Sequence, residues 1–221
     1  MIGTGLYTLT EAAAFTGIQA RNINRWLFGY KAGNREYSAL WHPQLATQGL
    51  KVKAIGFHDL LEIRFVNAFR QHGVSLQAIR SAADHARELF RQRYPFTCKR
   101  FLTDGRSIFT EVFEETGDET LLDLVKRQYV FKQVVSPSLY SGIEYDHDDA
   151  KRWFPMRNSR RIVLDPDRAF GKPIVMDYGV PTEALYATFK VERNIRLVAT
   201  IYEVSTKAVE TAIQFEERIA A

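Results

Sequence analysis

Apolar and polar positions near the start of the chain follow helical spacing. Leu9 and Ala13 lie four residues apart, which places both on one face of a helix. Thr10 is predicted to be the N-cap of this helix, with Glu11 in the first turn, where the helix dipole favours a carboxylate. Gly17 is predicted to be the left-handed residue at which the helix ends in a sharp turn.

A second, amphipathic helix is predicted over residues 19–28. At about 100° per residue, its apolar side carries Ile23, Trp26, Leu27 and Tyr30. Its other side carries Arg21, Asn24 and Arg25, with Asn22 at the margin. Guanidinium and carboxamide groups form the paired hydrogen bonds that read guanine and adenine edges. Two short helices joined by a glycine-containing turn are typical of a helix-turn-helix that enters the major groove, although an ordinary surface helix is the alternative.

The following segments carry strand signals and two further helix signals. Residues 31–56 contain two short apolar patches within polar sequence, which predicts two short strands and a loop, that is, a β wing. Residues 59–69 place apolar side chains at helical spacing: Leu61, Phe65, Ala68 and Phe69. Gly73 is predicted to end this helix, and Ser75 to cap another helix that runs to about Arg91.

The middle of the chain predicts a mixture of strands and one helix. Residues 96–114 contain Asp104-Gly105 between two apolar runs, which predicts a β-hairpin. Residues 119–135 predict a helix, and residues 140–155 predict a strand and a turn that end at Pro155.

The last part of the chain predicts two strands and then helices. A strand follows Arg161, and a Gly-Lys-Pro turn at 171–173 leads to another strand. Pro181 is predicted in the first turn of a helix. The final segment is again helix-turn-helix-like, with Ser205 as a cap and with predicted inward side chains Leu197, Ile201, Val204, Val209, Ala212 and Ile213. The fold class predicted for the whole chain is mainly α with small β elements (α+β).

Composition and charge narrow the class of protein. The 221 residues are 46% hydrophobic, which is enough for a substantial core. No apolar run has membrane-spanning length, the first residues do not resemble a signal peptide, and there is one cysteine, so we expect a cytoplasmic protein without a disulfide. Residues 1–75 carry eight Lys and Arg against four Asp and Glu, whereas the rest is balanced. This asymmetry indicates a polyanionic partner for the first third.

The N-terminal motifs resemble a known family of DNA-binding proteins. "YTLTEAAAFTGIQARNINRWL" and "GFHDLLEIRFVNAFRQHGVSLQAIRSA" are similar to the winged helix-turn-helix of the MerR family, with the closest echoes at residues 60–63 and 69–80. The insert after the second helix is longer than usual. The long dimerisation coiled coil and the metal-sensing cysteines are absent, so the sensor function of MerR proteins does not carry over.

The C-terminal motif resembles a small domain of uncharacterised activity found in VapB-type antitoxins. The matching positions are Pro166, Gly171, Lys172, Pro173, Val180, Pro181, Val198, Ala199, Tyr202, Val204, Ser205, Val209, Ala212, Ile213 and Phe215. Joined to a MerR-like N-terminus, it resembles the two-domain antitoxins that pair with PIN-type ribonuclease toxins. The resemblance implies a homodimer that binds double-stranded operator DNA and a PIN-type toxin. The predicted domains are 1–93 (DNA binding), 94–156 (connecting α+β region) and 157–221 (antitoxin-associated).

The predicted DNA-binding residues lie on the second helix and in the wing. They are Gln19, Arg21, Asn22, Asn24, Arg25, Lys51 and Lys53. We expect Arg21, Asn22 and Arg25 to read bases, and Lys51 and Lys53 to contact phosphates. Lys31 and Arg35 are further candidates for phosphate contacts.

Two alternative functions stay open at this point. A free-standing regulator with a ligand-sensing C-terminal half would need a pocket, for which the aromatic candidates are Phe109, Phe113, Tyr129 and Phe131. A structural module would instead use both helix-turn-helix segments as dimer interfaces.

The sequence carries no signal for an enzyme, a metal or a cofactor. The acidic run at 145–151 is read as a solvated turn rather than a metal site. Cys98 is expected to be structural and in a strand, with a thiol of lowered pKa as the alternative. Trp26 is expected in the core, and Trp41 either in the core or stacked on bases.

Overall fold

The structure is a computed structural model that describes residues 3–46, 49, 51–117, 137–156 and 159–220. Helices dominate and the sheets are small, which confirms the predicted α+β class. The helix predicted over 119–135 lies outside the described residues, and so do the pocket candidates Tyr129 and Phe131.

The first two helices form the predicted helix-turn-helix. After strand β1 (Tyr7–Thr8), helix α1 covers Leu9–Thr16 and helix α2 covers Ala20–Phe28. The cap of α1 is Thr8, not Thr10 as predicted, because Thr8 ends a strand in extended backbone and forms a capping box with Glu11. Gly17 adopts the predicted left-handed conformation, with φ of 71°, and its N–H donates to the Ala13 carbonyl over 2.8 Å.

The wing differs in part from its prediction. The exposed hairpin pairs β2 (Tyr30–Ala32) with β3 (Arg35–Tyr37). The second predicted strand is β4 (Ala54–Ile55), which pairs with β1 instead of joining the hairpin. Residues 30–37 form the wing hairpin.

Two long helices follow the wing, as predicted. Helix α3 covers Phe57–Gln71, and helix α4 covers Leu76–Phe90. The Ser75 hydroxyl caps α4 by accepting from the Ala78 N–H over 3.0 Å.

The hairpin predicted over 96–114 is wrong, because this segment contains helix α5 (Phe101–Thr116). Its buried side chains, Phe101, Ile108, Phe109 and Val112, recur at helical spacing. The ring of Phe101 lies 2.8 Å from the position that a Cβ of Gly105 would occupy. Gly105 is therefore a site of close helix packing, and the Asp-Gly pair does not form a turn here.

A four-stranded antiparallel sheet joins the two halves of the chain. After the short helix α6 (Pro137–Tyr140), the strands in order are β5 (Ile143–Asp146), β6 (Asp149–Trp153), β7 (Ile162–Leu164) and β8 (Pro173–Val175). The C-terminal helices are α7 (Thr182–Glu192), α8 (Ile195–Ile201) and α9 (Thr206–Ala220).

The predicted inward residues of the last segment are partly wrong. Leu197 is 41% exposed and Ile201 is 52% exposed, whereas Val198 and Ala199 face the core of the C-terminal helices. Asn194 caps α8 at Arg196 and Leu197, and the face of this seven-residue helix that carries Val198 and Ala199 points inward. The other predicted inward residues, Val204, Val209, Ala212 and Ile213, are buried, and Ser205 caps as predicted.

The N-terminal segment is bonded to the C-terminal half. The Leu6 N–H donates to the Phe170 carbonyl over 2.9 Å, and the buried Tyr7 hydroxyl donates to the Gly171 carbonyl over 2.8 Å. Phe15 of α1 packs against both apolar cores and stacks on Phe215 at 6.4 Å between ring centroids. The core around α3 also includes side chains from residues 96–112 and 140–153. The domain boundaries at 93/94 and 156/157 stay a prediction.

A fully buried carboxylate fixes the segment that precedes α5. The two oxygens of Glu62 accept from the backbone N–H groups of Phe96 and Thr97, each over 3.0 Å. Burial raises the pKa of Glu62 to about 7, because the charged form loses its hydration.

The close contact at Gly171 should make this glycine essential for stability. Gly171 has φ of 82°, and an added Cβ would overlap the Tyr7 hydroxyl and lie 3.0 Å from the Gly5 Cα. We expect Gly171→Ala to lower the free energy of unfolding in urea by about 2–4 kcal/mol, from backbone strain and overlap together. Gly33 also has positive φ but has no atom within 4 Å of such a Cβ. Gly33→Ala should therefore cost only about 1 kcal/mol, and equal losses would contradict the packing argument.

Burial of Glu62 should make stability depend on pH. The native carboxyl keeps its proton up to about pH 7, whereas the unfolded group, with a pKa near 4.5, loses it earlier. Between these values the native state binds more protons, so raising the pH lowers the free energy of unfolding, by roughly 3 kcal/mol in all. Glu62→Gln should remove this slope when urea unfolding is compared between about pH 5 and about pH 8. An unchanged slope in the variant would assign the pH dependence to other groups.

Candidate nucleic-acid interface

Helix α2 presents the predicted polar face. Gln19 and Arg21 are exposed, and Asn22, Asn24 and Arg25 are partly buried. The opposite face carries Ile23, Trp26 and Leu27 into the core, as predicted. The helix thus stands with one side packed and the other side open to a ligand.

The loop before β4 is joined to this helix through Lys53. The Lys53 ammonium donates to the Asn24 side-chain oxygen over 2.8 Å and lies 4.8 Å from the centroid of the Phe28 ring. Lys51 is exposed in the same loop. The structure therefore brings the predicted wing lysines next to α2, and it pairs one of them with the Asn24 amide.

A ladder of three side chains connects α2 to the wing hairpin. The rings of Tyr30 and Tyr37 stack at 4.6 Å between centroids with an angle of 7° between their planes. The guanidinium carbon of Arg25 lies 4.4 Å from the centroid of the Tyr30 ring. Arg25 and Tyr37 therefore both pack against the Tyr30 ring. The cation–π contact and the stack hold Arg25 beside the hairpin.

The end of α3 completes the interface and was missed by sequence reasoning. An open cleft of about 380 Å³ separates α2 and the wing hairpin from this helix end. It is lined by Asn22, Arg25, Trp26, Tyr30, Asn67, Arg70, Gln71 and Leu76. The sequence does contain a signal for these residues, because positions 67, 70 and 71 are polar and lie outside the apolar stripe of the predicted helix.

The electrostatics of the interface favour an anion. Within the described part of the chain, no carboxylate oxygen lies within 4.0 Å of a charged nitrogen of Arg21, Arg25 or Lys51. Glu36 pairs with Lys31 on the wing hairpin at 3.9 Å, where both side chains are exposed. Such exposed pairs are screened by solvent, so the surface keeps an excess of unpaired positive charge.

The other aromatic candidates are structural. Trp41 is buried, and its indole N–H donates to an Asp59 oxygen over 2.8 Å, so it cannot stack on a base. Trp26 lies in the core, as expected. Phe109 is buried and Phe113 packs against the same core, so neither ring lines a ligand pocket.

The candidates for metal or thiol chemistry gain no support. Residues 145–151 contain the turn between β5 and β6, with His147 in a left-handed conformation. The described ranges contain no group of three or more His, Cys, Asp or Glu side chains that could hold a metal ion. Cys98 lies in a turn before α5 instead of the predicted strand, and burial raises the pKa of its thiol to about 11, which contradicts a lowered value. None of the helices that the structure describes is long and apolar enough to cross a membrane.

Comparisons with known proteins agree with this architecture. Residues 5–83 match the family described as "Putative DNA-binding HTH domain". The chain is 27% identical to the "Putative antitoxin VapB45" of Mycobacterium tuberculosis (strain ATCC 25618 / H37Rv), over 94% of this chain and 92% of that protein. The crystal structure of Rv2018 from Mycobacterium tuberculosis has a TM-score of 0.67 at 23% identity, covering 94% of this chain and 96% of its own, which shows a shared fold.

These matches confirm two predictions. The N-terminal part is similar to a helix-turn-helix DNA-binding domain, and nearly the whole chain is similar to a protein named as an antitoxin. The individual DNA-contacting residues stay a prediction.

Proposed function

We propose that this protein is the antitoxin of a type II toxin–antitoxin pair. It binds a PIN-type ribonuclease toxin directly, and as a homodimer it represses its own operon through DNA binding in the cytoplasm. The observation that carries the proposal is the positively charged face of α2 and the wing hairpin, in a chain that is similar over 94% of its length to a protein named as an antitoxin. The role is regulatory and does not require catalysis.

The DNA-binding part of the proposal rests on the exposed side of α2. Gln19 and Arg21 project from the start of this helix, where side chains of a helix-turn-helix contact bases. Lys51 and the Lys53–Asn24 pair lie beside it and contact phosphates, as do Lys31 and Arg35 on the wing hairpin.

The toxin-binding part of the proposal rests on the C-terminal half. Leu197 and Ile201 lie one turn apart on α8, and both are exposed. An exposed apolar pair on a short helix is a suitable contact for a protein partner. We place the toxin there, away from the DNA-binding face.

A second candidate function is a free-standing regulator that senses a small molecule. A cleft of about 420 Å³ lies between α1 and the C-terminal helices, and Phe15, Tyr186 and Ile219 contribute its apolar lining. A compound that changed DNA affinity by filling this cleft would favour this function over the antitoxin.

Removing the exposed arginine of α2 should relax sequence preference. We expect Arg21→Ala to weaken binding to the preferred duplex by about 1–3 kcal/mol, with a smaller loss on unrelated DNA, because a bidentate contact to a base is lost. Fluorescence anisotropy with both duplexes measures this. Arg196→Ala, which removes an exposed arginine on α8, serves as the control and should bind as wild type. Equal losses on both duplexes for Arg21→Ala would exclude a base contact.

Toxin neutralisation can be measured as growth. The neighbouring open reading frame is expressed in a bacterial host alone and together with this protein. We expect growth arrest alone and rescue on co-expression, and Leu197→Asp with Ile201→Asp should abolish the rescue while DNA binding persists. Absence of arrest from either neighbouring frame would contradict the antitoxin and favour the free-standing regulator.

A further inference from the structure

The cleft between α2, the wing hairpin and the end of α3 has the composition of an anion site. Asn22 and Arg25 face it from α2, three residues apart on the same side of that helix. Asn67, Arg70 and Gln71 face it from the last turn of α3 with the same helical spacing. Two guanidinium groups and three carboxamides therefore converge, and none of the described residues that line the cleft carries a carboxylate.

We infer that this cleft binds one phosphate of the DNA backbone, and that Arg25 grips that phosphate instead of reading a base. The inference rests on the proposed DNA-binding function and refines the role of Arg25 within it. A guanidinium fork matches the oxygens of a phosphate and forms short, charge-assisted hydrogen bonds with them.

Both guanidinium groups are held in place before any ligand arrives. Arg25 is held against the ring of Tyr30, which itself stacks on Tyr37. Arg70 is fixed because its Nη1 donates to the Val74 carbonyl. Preorganised donors lose little conformational entropy on binding, which suits a contact made at every DNA sequence.

The contrast with Arg21 separates the two roles. Arg21 is exposed on α2 and has no ring or carboxylate partner among the described residues, so it can extend into a groove. The guanidinium of Arg25, also on α2, instead packs against Tyr30 of the wing hairpin, and Arg25 borders the cleft. Contacts of this kind set the register of the protein on DNA, and base specificity comes from elsewhere.

Salt dependence and sequence dependence together test the inference. The probes are a duplex recovered by selection from a random-sequence pool and a scrambled duplex of equal length. We expect Arg25→Ala to weaken both by the same factor, roughly tenfold, and to lower the slope of log K against log salt by about 0.9. Loss on the selected duplex alone, with an unchanged slope, would make Arg25 a base reader and overturn the inference.

A matched pair of charge changes tests the cleft itself. Gln71→Glu places a carboxylate in the cleft, whereas Gln214→Glu places one on the exposed side of α9 in the C-terminal half, outside the lining. We expect Gln71→Glu to weaken both duplexes by more than tenfold and Gln214→Glu by less than threefold, because only the first carboxylate stands beside the bound phosphate. Equal losses of DNA affinity in the two variants would indicate a general effect of charge and would overturn the proposed phosphate site. Thermal unfolding checks that both variants are folded.

Tyr30 acts as a positioning residue in this scheme. Tyr30→Leu should weaken both duplexes as Arg25→Ala does and add nothing further in the Arg25→Ala background, whereas Tyr30→Phe, which keeps the ring, should bind as wild type. Additive losses would show that Tyr30 does not act through Arg25. Failure of the wild type to bind any duplex at low salt would overturn the proposed DNA-binding function itself. A wild type that binds, with a loss in Arg25→Ala on the selected duplex alone, would overturn only the inference about Arg25.

Discussion

The buried carboxylate of Asp59 fixes the geometry on which the proposed DNA-binding surface depends. Its oxygens accept from the Trp41 indole at 2.8 Å, the Gln44 N–H at 2.8 Å and the Gly56 N–H at 3.0 Å. These donors belong to the insert that follows α2 and to the start of α3. Burial raises the pKa of Asp59 even though the three hydrogen bonds lower it. A buried carboxyl group is tolerated in this position only because each bond is made, so Trp41, Gln44 and Gly56 are held around it.

Anchoring of the insert makes the wing hairpin part of the same rigid surface as α2. The Leu40 N–H donates to the Trp26 carbonyl over 2.7 Å, and Arg80 of α4 donates to the Ser38 carbonyl over 2.9 Å. The hairpin is therefore held at its base from two helices. The stack of Tyr30 on Tyr37 then reaches back to Arg25, so the position of this guanidinium depends on how the hairpin is held.

Sequence patterns predicted elements with strong periodicity and failed where long-range packing decides. The apolar stripe at residues 59–69 and the cap at Ser75 correctly predicted helices α3 and α4. The Asp104-Gly105 pair is a local turn signal, but packing of the Phe101 ring over Gly105 overrides it. The polar face of α2 could be predicted from the spacing of residues within that helix. Arg70 lies beside α2 only because α3 packs next to it, and no local sequence pattern predicts such tertiary packing.

Helix α1 contacts both parts of the chain to which we assign an activity. This helix packs against α2, which carries the proposed DNA contacts, and its Phe15 stacks on Phe215 of α9 in the C-terminal half. Tyr7, directly before α1, is bonded to Gly171 beside β8 and packs edge-on against Phe15. Because both contacts are buried or part of a packed core, the C-terminal helices cannot move against α1 without losing them. A partner that binds the C-terminal half therefore binds a part of the chain that is packed, through α1, against the helix proposed to bind DNA.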